Sequence, residues 1–115
     1  MPIREGKGPE RKIQDDIIKF LKIRGWYVKE THGNMYQSGF PDLFITHLQF
    51  GHRWCEIKNP LQFSFTPAQL EEFPKFCRNG SGVWVLVAAI DFEYKKLWRP
   101  PNWTDYLILL KRNCR

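Results

Sequence analysis

Residues 39–58 read GFPDLFITHLQFGHRWCEIK, and the order of turn formers, apolar residues and charges in this stretch decides how the chain folds. Gly39 and Pro41 break the chain just ahead of Asp42, because proline fixes φ and lacks an N–H, whereas glycine allows backbone conformations closed to other residues. Leu43 to Thr46 and Arg53 to Lys58 have strand composition. They flank Gln49-Phe50-Gly51, where Gly51 can take the left-handed conformation that a hairpin connection favours. Glu56 and Lys58 lie two apart on a strand and leave one face, with Cys55 and Ile57 on the other. If those three residues join the strands, Asp42 pairs opposite Lys58 and Glu56 sits diagonal to it on the same face. A regular two-residue turn at Phe50-Gly51 instead sends the two carboxylates to opposite faces. In the first case two carboxylates and one ammonium converge at the end of a sheet. Oxygen ligands of this kind suit Mg²⁺ or Mn²⁺.

Working outward, Ile13, Ile17, Phe20 and Leu21 form the stripe of an amphipathic helix that starts near Glu10 and ends at Gly25. Arg11, Asp15, Lys19 and Lys22 form its solvated face. Trp26 to Glu30 reads as a strand, followed by the polar stretch THGNMYQSGFP as a loop. Thr66-Pro67-Ala68-Gln69 carries a cap, a proline at the first helical position and a Gln three after the cap. A helix is expected from Pro67 towards Arg78, with Pro74 a point of interruption. Val83 to Ala89 is almost wholly apolar, as suits a strand buried on both faces. Tyr94 to Trp98 is expected to add an edge strand, and Thr104 to Arg112 a last helix. The result is an α/β chain of order α-β-β-β-α-β around a mixed sheet, plus a C-terminal helix.

The chain has 115 residues, of which 43% are hydrophobic, enough for one core. The reading is a loose basic arm over residues 1–9 and a single domain over 10–115. Neither a membrane span of ~20 apolar residues nor the apolar run of a signal peptide is visible, so a soluble intracellular protein is expected, in the cytoplasm or, for a phage-encoded chain, that of its host. Cys55, Cys77 and Cys114 are widely spaced with no C-x-x-C pair, which points to reduced thiols and away from zinc. A net charge of +6 from 18 Lys and Arg against 12 Asp and Glu favours a polyanionic partner, nucleic acid first.

With these residues in place, G-F-P-D followed after a hairpin by E-I-K resembles the core motif of PD-(D/E)XK nucleases, and the element order is similar to their restriction-endonuclease-like core. Within that superfamily the likeness is to the VRR-NUC (virus-type replication-repair nuclease) branch, on Glu10, Gly39, Pro41, Asp42, Glu56, Lys58 and Gln69, over roughly residues 10 to 90. The resemblance implies a Mg²⁺- or Mn²⁺-dependent endonuclease acting on DNA, selective for branched structures such as four-way junctions in repair or recombination. By the same resemblance Asp42, Glu56 and the Ile57 backbone carbonyl hold the metal, Lys58 orients water or stabilises phosphate charge, and Glu10 supports a second metal or a metal-bound water. Gln69 belongs to the catalytic set too, although its capping role explains it without catalysis. Glu10 is equally explained as a carboxylate at a helix N-terminus, and Gln14, one turn on, as a core edge or part of the site.

His32, His47 and His52 have no acidic or Cys partner at metal spacing and read as surface residues. Trp26, Trp54, Trp84, Trp98 and Trp103 could stack bases, but packing explains most of them. Lys95, Lys96 and Arg99 either contact phosphate or solubilise the edge strand. Trp103, Tyr106, Leu107 and Leu110 form one face of the last helix, with Ile108 and Leu109 outside it; the surplus apolar surface suggests a homodimer or cover for the domain's own sheet. Two other readings stand beside the nuclease: a non-catalytic DNA-binding module on the same fold, and a restriction or mismatch-type nuclease. Lys58→Ala and Glu56→Ala are each expected to remove cleavage and leave the fold.

Overall fold

The computed structural model describes residues 8–31 and 39–113, with side chains described as far as Ile108. The element order is α1 (Pro9–Ile23), β1 (Tyr27–Glu30), β2 (Leu43–His47), β3 (Gly51–Ile57), α2 (Pro67–Arg78), β4 (Val83–Leu86), a short helix α3 (Asp91–Tyr94) running into a 3-10 turn (Lys95–Trp98), and α4 (Trp103–Asn113). Of the basic arm, residues 1–7 lie outside the described residues, as do His32, Cys114 and the side chains of Leu109 and Leu110. The arm gives way to helix one residue earlier than expected, since Pro9 fills the first-turn position that needs no N–H.

The four strands form one mixed sheet in the order β1-β2-β3-β4, in which β1, β2 and β3 are an antiparallel meander and β4 is parallel to β3. A parallel neighbour needs a crossover, which α2 supplies. Alternation along the strands splits the core in two. Leu43, Ile45, Cys55, Ile57 and Leu86 face α1, where Ile17, Ile18 and Leu21 pack with Trp26 and Leu97. Val83 and Val85 face the other way, against Phe65 and Phe73 with Trp103 of α4. Trp103, Tyr106 and Leu107 thus cover the chain's own sheet, while Ile108 is 53% exposed. Packing also accounts for Trp54 and Trp84, and Trp98 is the exposed exception.

The hairpin register differs from the expected one. His47 pairs with Gly51 and Leu43 with Cys55, so the connection is Leu48-Gln49-Phe50 and Asp42 stands level with Glu56, not with Lys58. Gly51 does take a positive φ, +87°, but at the first position of β3, which shifts the pairing by two residues. A two-residue shift preserves faces, and Asp42 and Glu56 remain on one side. Lys58 lies one residue beyond β3, its N–H bonded to the carbonyl of Leu86.

Residues 94–98 are not an edge strand. Glu93 and Leu97 are buried at helical spacing, and the Glu93 carboxylate accepts the Val87 N–H and pairs with Lys96 Nζ at 2.7 Å. That bond takes the Val87 amide out of the β ladder, and β4 ends at Leu86 rather than Ala89. Helix α2 runs through Pro74 unbroken. Among the described residues no helix is long and apolar enough to cross a membrane.

Candidate active site

The C-terminal end of β3 and the N-terminus of α2 meet over a cleft of about 530 Å³ lined by Glu10, Asp42, Glu56, Lys58, Gln62, Phe63, Ser64, Thr66 and Gln69. Its position follows from local chemistry. Gly39, at φ +87°, passes so close to α2 that a Cβ there would lie 2.8 Å from the Ala68 carbonyl oxygen, a contact a larger residue cannot make without moving the backbone. Pro41 is buried, and its carbonyl accepts the Thr31 hydroxyl, while the Thr31 N–H donates to the Asp42 carbonyl at 2.9 Å. Asp42 is therefore pinned on one side by Thr31, the residue that follows β1. On the other it is tied to β3 reciprocally: the Ile57 N–H donates to Asp42 Oδ2 at 2.8 Å and the Asp42 N–H to Glu56 Oε1 at 3.2 Å.

Glu56 and Lys58 form an ion pair of 3.0 Å with only 2% and 7% of their side chains exposed. Lys58 Nζ also donates to the Ser64 carbonyl at 2.7 Å and to Gln69 Oε1 at 3.4 Å, and Gln69 Nε2 donates to Glu56 Oε2 at 2.8 Å. Gln69 is at once the third residue of the capping box of α2: its N–H donates to Thr66 Oγ1 at 3.1 Å, and its side-chain oxygen accepts the Thr66 N–H at 3.0 Å. The capping bonds and the bonds to Glu56 and Lys58 coexist in one side chain. Glu56 and Lys58 are nearly buried at the floor of the cleft, so truncation of either to Ala is expected to cost stability as well as cleavage. Removing one partner of a buried pair leaves the other charge without compensation.

Burial raises the Glu56 carboxyl to about 8, with Asp42 adding to the rise and Lys58, then Gln69, opposing it. Glu10 is raised as well, first by burial and in smaller part by Asp42, against Lys58. Glu10, Asp42 and Glu56 thus line the cleft with a single lysine, Lys58. A donor set of carboxylate oxygens suits a divalent cation of the Mg²⁺ class, which takes one or two protein carboxylates and completes its shell with water and phosphate. Among the described residues no group of three His, Cys, Asp or Glu side chains is gathered for an ion. Asp42 and Glu56 are the two carboxylates that the hairpin brings level with each other on one face of the sheet.

The other sequence candidates lie elsewhere. Gln14 is buried and donates to Glu30 at 3.3 Å, beside an Arg11 to Glu30 ion pair of 3.2 Å, so it braces α1 against β1 rather than lining the cleft. His47 accepts the Gln49 N–H at the hairpin, at the far end of the sheet, and His52 is exposed. Gln62, Phe63, Ser64 and Thr66 were not anticipated as cleft residues. Ser64 acts through its carbonyl, which no side-chain pattern announces, whereas Thr66 had signalled its position through the capping box.

No family model and no curated protein matches the sequence. A solved structure named VRR_NUC domain is similar to this chain with a TM-score of 0.64 and 22% sequence identity, over 80% of this chain and 97% of that one. The likeness covers most of both chains, and the mixed α/β architecture with its four-stranded sheet is consistent with it. The chain has the fold of a VRR-NUC domain.

Proposed function

We propose that the protein is a Mg²⁺- or Mn²⁺-dependent endonuclease that hydrolyses DNA phosphodiester bonds, selective for branched DNA such as four-way junctions and acting as a homodimer with one site per chain. The observation that carries the reading is the buried Glu56 and Lys58 pair beside Asp42 at an open cleft. A buried ion pair is a poor way to stabilise a fold, and a carboxyl displaced by burial and a neighbouring charge in a cleft is characteristic of functional sites. The net charge of +6 supports a phosphate-bearing partner.

Asp42, Glu56 and the Ile57 carbonyl would hold the metal, with Glu10 as a supporting carboxylate. When bound, such an ion supplies Lewis acidity towards the scissile phosphate and acidifies a water at neutral pH. The chain's own groups do the rest. Lys58, fixed by Ser64 and Gln69, presents a point charge to the charge developing on the phosphate. Gln69 holds the Glu56 carboxylate in one orientation. Asp42, locked to the Ile57 amide, keeps its geometry as substrate enters.

The test is incubation with duplex, flap, bubble and four-way-junction DNAs in Mg²⁺, Mn²⁺ or chelator. Chelator-sensitive cleavage, strongest on the junction, is expected. DNA binding without cleavage of any substrate would favour the non-catalytic module and overturn the proposal.

A further inference from the structure

The loop that follows Lys58 is held in shape at both ends. Asn59 Oδ1 accepts the Leu61 N–H at 3.0 Å and the Asn59 carbonyl accepts the Gln62 N–H at 3.1 Å, a side-chain turn and a backbone turn on one residue. Lys58 then closes the loop through Ser64. Gln62, Phe63 and Ser64 line the cleft, and Phe63 is braced edge-on by Tyr106 at 5.5 Å. Leu61, between the turn and the cleft wall, is 91% exposed.

A single exposed leucine needs no explanation by itself. Leu48 at the hairpin tip is such a residue, 103% exposed, but at the other end of β2 and β3. Leu61 differs in two respects: its backbone is fixed by the paired turns, and its neighbour Gln62 is already part of the cleft. An exposed apolar side chain on a backbone held by two turns, beside the cleft proposed to take the phosphodiester, suits insertion into a base stack, which costs least where the stack is already interrupted.

We propose that Leu61 is an apolar wedge that enters the base stack of DNA next to the phosphodiester held at Asp42, Glu56 and Lys58, and so favours substrates with an interrupted step there. The inference takes its ligand from the DNA-cleaving reading. It also supplies a physical basis for the preference for branched DNA.

The test uses the full chain and a junction DNA carrying 2-aminopurine beside the branch, titrated in chelator, with Leu61→Ala, Leu61→Met and Leu48→Ala alongside wild type. Wild type, Leu61→Met and Leu48→Ala are expected to raise the fluorescence on binding, and Leu61→Ala to lose most of the rise. In Mg²⁺ the ratio of junction to duplex cleavage is expected to fall about tenfold for Leu61→Ala alone, the scale of losing help with one unstacked step. Equal unfolding midpoints exclude a folding cause. An unchanged rise in Leu61→Ala overturns the wedge even where cleavage occurs. A rise lost with Leu61, in a wild type that cleaves nothing, upholds the wedge and removes the nuclease reading. Failure to bind any DNA removes both.

Discussion

Changing Glu56 to Gln keeps the shape of a nearly sealed side chain and removes its charge, and the outcome should depend on pH in a definite direction. Glu56 in the folded chain is raised from 4.5 to about 8, by burial first and Asp42 second. Between those values the native state holds a proton that the unfolded chain releases. The stabilisation from that proton is full below pH 4.5, declines as pH rises, and is gone above about 8. At ~1.4 kcal/mol per pH unit the swing is on the order of 5 kcal/mol, an upper limit because the pair with Lys58 can relax. An amide at this position resembles the protonated carboxyl at every pH and keeps a carbonyl oxygen for Lys58. Glu56→Gln leaves Lys58 without its anion and so should not be more stable than wild type at acid pH, but its stability relative to wild type should rise as pH goes from 5 to 8.5 without metal, while it fails to cleave DNA. Urea unfolding in chelator at pH 5, 7 and 8.5 reads this directly. A stability difference between the two proteins that stays flat with pH would refute the account of a charge-strained carboxylate.

Three further outcomes follow from the same geometry. Lys58→Ala should cost about 3–5 kcal/mol as well as activity, because it leaves Glu56 buried without its cation; an unfolding midpoint equal to that of wild type would contradict the sealed pair. Mg²⁺ or Mn²⁺ at a hundredfold excess over its dissociation constant should stabilise wild type by about 2.7 kcal/mol and Asp42→Asn far less, read as a shift in Tm in the absence of DNA. Ile108→Glu, on the exposed side of α4, should turn a homodimer into a folded monomer in sedimentation at low micromolar concentration, and a wild type that is already monomeric and cuts junctions symmetrically would rule out the dimer.

Much of this arrangement was readable from residue order. The stripe of Ile13, Ile17 and Leu21 fixed α1, the Thr66 to Gln69 box fixed the start of α2, and alternation over residues 54–57 assigned the faces of β3, because each pattern has one periodicity and one burial solution. The hairpin register was less accessible. Gly51 can serve equally inside a turn or at the foot of a strand, and only the pairing of His47 with Gly51 decides. Residues 94–98 misled for a different reason: aromatic and basic residues fit an edge strand, and the buried Glu93 that commits the segment to a helical path bonds Val87, a backbone partner without side-chain signature. The same limit hid Ser64. For the site, residue types indicated which groups meet, but the near-complete burial of Glu56 and Lys58 depends on how α2 lies across β3.

The double use of Gln69 has a consequence for how the site opens and closes. Its amide is bonded to Thr66 while its side chain holds Glu56 and Lys58, so the first turn of α2 cannot fray without releasing the carboxylate and the lysine together. Exchange of the Gln69 amide hydrogen with solvent deuterium requires that fraying, which makes its protection factor a residue-level gauge of how often the site is assembled. Any ligand that prefers the assembled site must slow this exchange, whether or not it alters the rest of the molecule.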